Sequence, residues 1–160
     1  MQENIILELI PTSSNPITGE IAQISALKIK GIELVSRFDY RLNPAKIKIH
    51  DFVNMLSYDK DNFTYVNHSK EIVDKFKEWA KNNKIFVMDT SYTKAYLNHY
   101  GISNETVLIF ELLNLKPSKT IIQDLMQKYK LQPSNHIVDL LYESLIYESN
   151  DLIAKNGEEE

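Results

Sequence analysis

The chain of 160 residues contains no cysteine, only four glycines and only five prolines. Without cysteine there is no disulfide scaffold, no Cys-ligated zinc site, no iron–sulfur cluster and no thiol nucleophile. The glycines form neither a Walker A phosphate loop nor a Gly-x-Gly-x-x-Gly nucleotide-binding pattern. The Gly-x-Ser-x-Gly turn of serine hydrolases is also absent. These gaps exclude several common classes of enzyme.

Long apolar runs are also missing. No stretch approaches the roughly 20 apolar residues that a membrane-spanning helix needs. The first residues, Met1 to Asn4, carry no basic charge and are not followed by the apolar segment of a signal peptide. We therefore expect a cytoplasmic protein that does not contact a membrane.

Neither sign of charge dominates the composition. Lys and Arg together number 18 and Asp and Glu 22, which gives a net charge of −4. This balance argues against tight, nonspecific nucleic-acid binding through a general positive field. The lysines cluster at 70–84 and 116–130, so a local basic face is one interpretation and solvated helix faces are the other. The length fits one domain over residues 1–154, followed by an acidic, frayed tail at 155–160.

The first third of the chain has the two-residue period of strands. Ile5, Leu7 and Leu9 alternate with their neighbours in the first predicted strand. The β-rich segments Glu20–Lys30 and Glu33–Asn43 follow, separated by a tight turn. Three antiparallel strands in a meander are predicted.

After about residue 51 the apolar residues take the spacing of helices. Helices are predicted over 51–56, 60–65, 69–82 and 91–100, and after Pro117 and Pro133, with short buried strands over 85–88 and 106–109. The tyrosines at helical spacing, including Tyr96, are expected to pack in the core. The order of elements predicts an α/β domain with a mixed sheet, whose first three strands form the meander, and with helices packed on it.

Four segments follow one another in an informative order. Asn15-Pro16 looks like a proline loop, and Glu20–Ile29 looks like the strand that follows it. Phe38–Pro44 looks like a strand that ends in Asn-Pro, and Val87–Leu97 looks like an Ala-His-Asn-Ala block. Together they resemble the DnaQ-like 3′–5′ exonucleases, the DEDD group with the RNase H-like fold. The resemblance extends over nearly the whole chain and implies that fold.

The resemblance also implies where a catalytic centre would lie. In that family four carboxylates hold two Mg²⁺ ions, and a histidine of the DEDDh subgroup acts as general base. The first carboxylate falls on Glu8 and the histidine on His136. The other three carboxylates fall on Ile10, Thr93 and Leu141. Three of four ligands are therefore missing, so we expect no cofactor, no catalytic residue and no metal pair, although Glu8 could bind a single ion.

Nearby acidic residues offer a second ligand set. Asp89 lies four residues before the Thr93 position, and Asp139 and Glu143 share one helix face with His136. With Glu8 they would form a rearranged site for Mg²⁺ or Mn²⁺. The simpler interpretation is that Asp139 and Glu143 form the polar side of a helix whose other side is apolar.

Three functions follow from these patterns. The first is a catalytically degenerate exonuclease-fold protein that serves as a binding or accessory module, with single-stranded nucleic acid or a replication, repair or processing protein as partner. The second is an active metal-dependent 3′–5′ exonuclease with a rearranged site. The third is a protein-interaction or dimerisation domain that does not bind nucleic acid.

Overall fold

A computed structural model describes residues 2–43, 63–88, 91–113, 121–130 and 138–147 of the protein. Within these ranges the strands are β1 (Glu3–Pro11), β2 (Ile21–Lys30), β3 (Glu33–Leu42), β4 (Thr64–Val66), β5 (Lys84–Val87) and β6 (Thr106–Leu108). The helices are α1 (Ser69–Ala80), α2 (Ser91–His99), α3 (Ile109–Leu113), α4 (Ile121–Tyr129) and α5 (138–147). No helix of the described ranges has the length and apolarity needed to span a membrane.

The strands form one mixed sheet in the order β4-β3-β2-β1-β5-β6. β1, β2 and β3 pair antiparallel, which confirms the predicted meander. Gly31, with a φ of 64°, makes the tight turn between β2 and β3, in a region that favours glycine. β5 and β6 extend the sheet in parallel on one side, and β4 pairs in parallel with β3 on the other.

Both faces of the sheet carry a hydrophobic core. On one face Ile5 and Leu7 of β1 pack with Phe76 of α1 and Tyr96 of α2, and we call this the α1 face. On the opposite face Ile6 packs with residues of α3 and α5, and we call this the α5 face. Nine of the ten residues of β2 are buried, because this central strand is covered on both sides.

Two predicted elements differ from the structure. The helix predicted over 60–65 is wrong where the chain is described, because Thr64–Val66 is a strand that pairs with Tyr40–Leu42. β-Branched and aromatic residues favour that pairing. The strand predicted to reach Ile109 ends at Leu108, and α3 begins at once. A short apolar run buried in the core has no period that separates strand from helix. The helix predicted over 51–56 lies outside the described residues.

Candidate functional site

Polar side chains take the place of apolar ones on the α5 face of the meander. Ile6 belongs to the core of this face, and the alternation along β1 points Glu8 and Ile10 to the same side. Residues paired across antiparallel strands share a face. The register aligns two rows of such residues, Glu8–Ser25–Asp39 and Ile10–Gln23–Arg41. The position predicted for the first carboxylate therefore lies among polar groups.

The side chain of Gln23 joins these rows and is completely buried. Its amide nitrogen Nε2 donates to Glu8 Oε1 at 3.3 Å and to Ser25 Oγ at 3.0 Å. Its oxygen Oε1 accepts from Arg41 Nε at 3.0 Å and from Arg41 Nη2 at 2.6 Å. The Arg41 guanidinium in turn lies 4.0 Å from the centre of the Phe63 ring. The Glu8 carboxylate is thus linked to a buried cation through one amide.

Arg37 forms a second set of contacts, which joins β3 to α5. Its Nη1 and Nη2 donate to the two carboxylate oxygens of Asp139 at 2.6 and 3.2 Å, and its Nε donates to Asp39 Oδ2 at 3.1 Å. The hydrogen bonds to Asp139, together with the charges of both aspartates, outweigh burial and raise the pKa of the Arg37 guanidinium. Arg37 therefore keeps its positive charge throughout the physiological range.

Of the candidate ligands of a rearranged metal site, the structure describes Glu8, Asp139 and Glu143. Both carboxylate oxygens of Asp139 accept hydrogen bonds from Arg37, and Glu143 is exposed on α5. Asp89 and His136 lie outside the described residues. Within the described ranges, no group of three or more His, Asp or Glu side chains is placed to hold a metal ion. The assignment of site residues stays a prediction.

The other three positions at which the resemblance implies carboxylates are all buried. Ile10 is 3% exposed, Thr93 on α2 is 4% exposed and Leu141 on α5 is 0% exposed. Leu141 packs in the core of the α5 face with Ile6 and Phe86. Ile10 follows Ile6 by four residues on the same side of β1. At Ile10 and Leu141, aliphatic side chains add buried apolar area where the resemblance implies metal ligands.

The loop after β1, which contains the Asn15-Pro16 of the predicted resemblance, is tied to α2 by Tyr96. The Tyr96 ring is completely buried, as predicted, and its hydroxyl donates to the backbone oxygen of Ser13 at 2.7 Å. Burial raises the pKa of this phenol. Gly19 lies directly beside the Tyr96 hydroxyl, where a Cβ atom would clash. The loop therefore has a fixed position at the end of β1.

Sequence reasoning missed the role of Gln23 and of the two arginines, which are the only ones in the chain. A signal was present. Arg37 and Arg41 flank Asp39 at alternate positions of a strand, and Gln23 and Ser25 alternate on the neighbouring strand. Polar residues repeating with a period of two on a strand that is otherwise apolar indicate a polar cluster on one face.

Comparison with known proteins yields two sequence relatives, whereas no family model matches the chain. The chain is 29% identical over 134 residues to a "DNA polymerase III PolC-type" of Caldanaerobacter subterraneus subsp. tengcongensis, which covers 81% of this chain. It is 20% identical over 94 residues to a protein of the same name from Bacillus cereus, which covers 59% of this chain. The chain spans 9% and 7% of the length of these two relatives.

A solved structure supplies the fold comparison. The chain superposes on E. coli Exonuclease I in complex with a dA16 oligonucleotide with a TM-score of 0.60 and 8% identity. The match covers 92% of this chain and 40% of the exonuclease chain. The class defined by this likeness and by the sheet order is the DnaQ-like exonuclease fold. The predicted resemblance and fold class are thereby confirmed.

Proposed function

We propose that the protein is a binding or accessory module with the DnaQ-like exonuclease fold, which contacts nucleic acid without cleaving it. The observation that carries this proposal is the bidentate pair between Arg37 and Asp139. Asp139 is the half-buried candidate ligand on α5, and both of its carboxylate oxygens accept hydrogen bonds from Arg37. The proposal covers residues 1–154 as one domain in the cytoplasm.

The physical reason is the charge that two divalent ions require. Two Mg²⁺ ions held a few ångströms apart need several carboxylates to offset their charge and replace their water. At the predicted ligand positions the chain has one carboxylate, Glu8, and two aliphatic side chains, Ile10 and Leu141. Asp39 and Asp139 already pair with the cationic Arg37, so these two carboxylates are less available to offset the charge of a metal ion. These features favour a protein without the two-metal reaction.

The nucleic-acid part of the proposal is supported by the comparisons. The two sequence relatives are named as DNA polymerases, and the structural relative is an exonuclease solved with an oligonucleotide. We therefore propose single-stranded nucleic acid, or a protein that replicates, repairs or processes it, as the partner of this domain.

One assay separates a binding module from an enzyme. The purified protein is incubated with 3′-labelled single-stranded DNA and RNA in Mg²⁺ or Mn²⁺, beside a Glu8→Ala variant. We expect no shortening of either substrate, and binding that weakens as salt is raised. Shortening from the 3′ end that Glu8→Ala abolishes would establish the rearranged exonuclease, with Asp89, His136 and Asp139 as the next residues to test.

A second candidate function is protein interaction without nucleic acid. It is favoured by three exposed apolar residues in the β2–β3 turn and at the start of β3, since Ile32 is 43%, Leu34 39% and Val35 46% exposed. Exposed apolar side chains that adjoin one another are typical of interaction surfaces. Light scattering of the protein and of Leu34→Lys tests this candidate, which predicts a concentration-dependent dimer that the lysine disrupts.

A further inference from the structure

We infer that a groove between β3 and α1 binds one nucleotide of a single-stranded nucleic acid, with its base against Trp79 and Tyr40 and its phosphate on Lys75. This inference rests on the proposed function and names the site at which it would operate. The groove lies on the α1 face of the sheet, whereas Glu8 and Ile10 lie on the α5 face. The aromatic lining of the groove is therefore on the opposite face of the sheet from Glu8 and Ile10.

The groove has the size and lining of a small-ligand site. Its volume is about 330 Å³, which lies at the lower end of the range for ligand pockets. Its lining residues are Arg37, Phe38, Tyr40, Lys75, Glu78 and Trp79. Three of these residues are aromatic, and the other three are charged and add polar groups to the wall. Aromatic walls with cations nearby are the usual means of holding single-stranded nucleic acid.

The aromatic wall is held in place before any ligand arrives. The Trp79 indole donates from Nε1 to Ser36 Oγ at 2.9 Å, and Lys28 Nζ lies 4.7 Å from the centre of its ring. The Phe38 ring is centred 4.5 Å from that of Tyr40 and 5.4 Å from that of Trp79. Trp79 and Tyr40 are only half-buried. Rings fixed in this way lose little conformational freedom when a base stacks on them.

The charged residues of the groove would make the remaining contacts with the nucleotide. Arg37 already donates to Asp139 and Asp39, so its charge is largely offset. Lys75 is exposed and is thus the cation best placed to contact a phosphate. Glu78 is also exposed, and its carboxylate can accept a hydrogen bond from the amino group of a base. Cytosine has such a group and thymine does not, so the groove should bind cytosine more tightly than thymine.

Trp79 gives the experiment a direct signal, because it is the only tryptophan of the chain. Oligo(dC) and oligo(dT) of about eight nucleotides, within the usual site size, are titrated into the protein while tryptophan fluorescence is recorded. A labelled oligonucleotide measures total binding by anisotropy in parallel. We expect saturable quenching, with oligo(dC) binding more tightly than oligo(dT).

Three variants test the individual contacts, and a fourth is their control. Tyr40→Ala should weaken binding about tenfold, as expected for the loss of one stacking ring. Lys75→Ala should weaken it for every sequence and reduce the slope of log affinity against log salt by about 1. Glu78→Ala should lower the ratio of oligo(dC) to oligo(dT) affinity. Lys70→Ala is the matched control, because Lys70 is exposed on the same helix but lies outside the groove.

The outcomes separate the groove from the proposed function. Oligonucleotide binding without quenching, and unchanged by Tyr40→Ala and Lys75→Ala in variants that melt like the wild type, would overturn the groove and leave the function standing. No binding by anisotropy at low salt would overturn both the groove and the proposal that this domain itself contacts nucleic acid. Quenching that grows with protein concentration alone would assign the groove to a second copy of the chain. Equal affinity for the two oligonucleotides would overturn the role of Glu78.

Discussion

Arg37 on β3 and Asp139 on α5 form a bidentate ion pair although 102 residues separate them in the chain. The Arg37 side chain is 38% exposed and that of Asp139 25% exposed, so water screens the pair in part. Two parallel N–H···O bonds fix its geometry. The pair therefore holds the last described helix against the meander, over the face that carries Glu8.

The first prediction concerns the strength of this pair. A double-mutant cycle with Arg37→Ala and Asp139→Ala should give a coupling energy of about 1 kcal/mol, the upper end for partly exposed pairs. Each single change should lower Tm by a few degrees, roughly 2–4 °C per kcal/mol for a chain of this size. The same cycle on Lys70 and Asp74, a more exposed pair with side chains 81% and 58% exposed, should give a smaller coupling. Equal couplings for the two pairs would show that the Arg37 contact is an ordinary surface interaction.

The second prediction concerns the aliphatic residue at a predicted ligand position. Leu141 is 0% exposed, so Leu141→Ala should lower the free energy of unfolding by about 2–5 kcal/mol. Leu141→Asp should be more damaging, because it buries a charge without a partner. Ile17→Ala is the control, since Ile17 is 81% exposed and its loss should change stability by less than about 0.5 kcal/mol. A melting temperature unchanged by Leu141→Asp would mean that residue 141 is not part of the core.

The third prediction concerns Tyr96 and has a defined pH dependence. Tyr96→Phe removes the hydrogen bond to Ser13 and should lower the free energy of unfolding by about 1 kcal/mol at pH 7. Burial raises the pKa of Tyr96 above its usual value near 10, so the unfolded chain loses this proton first as pH rises. Stability linked to Tyr96 is therefore present below pH 10 and declines above it. Urea unfolding at pH 7 and at about pH 10.5 should show the wild-type advantage over Tyr96→Phe shrinking; a constant difference would contradict the raised pKa.

The fourth prediction concerns the contact between Tyr96 and Gly19. A Cβ atom at residue 19 would meet the Tyr96 hydroxyl and Ser13 Oγ, so Gly19→Ala should destabilise by about 1–3 kcal/mol. Combining it with Tyr96→Phe removes the clashing oxygen, and the double variant should be less destabilised than the sum of the two single changes. Strict additivity would show that the loop moves away from Tyr96 without penalty.

The fifth prediction concerns Ser69, which ties the start of α1 to β2. Its buried hydroxyl accepts from the backbone nitrogen of Ile21 and donates to the backbone oxygen of Ile21, both at 3.1 Å. Ser69→Ala should therefore lower the free energy of unfolding by about 1–3 kcal/mol, because it leaves a buried N–H unsatisfied. Ser144→Ala is the matched control, since buried Ser144 only bonds the carbonyl four residues earlier in its own helix and should lose little. Chemical denaturation of both variants makes the comparison, and an equal loss would contradict the assigned role.

The sequence by itself determined the meander, the main helices and the buried side of α5. Alternation in β1 and the three- and four-residue spacing of α1 and α5 are local patterns, and each demands that its apolar side be covered. The order of these elements predicted the α/β class, and the order of four short sequence segments carried the resemblance to the DnaQ-like fold. Local patterns failed at Thr64–Val66, where the strand exists because β3 offers an edge to pair with, and at Ile109, where a continuous apolar run has no usable period.

Only the tertiary structure decided how the polar residues meet. Asp139 falls on the polar side of its helix by sequence, but its partner Arg37 is brought to it by packing of α5 on the sheet. Gln23 links Glu8 to Arg41 because the register sets three strands side by side, and a shift of one residue would turn these side chains to the opposite face. Contacts of this kind join residues far apart in the chain, so no local pattern contains them. The buried side of each strand or helix, by contrast, follows from the spacing of its own apolar residues.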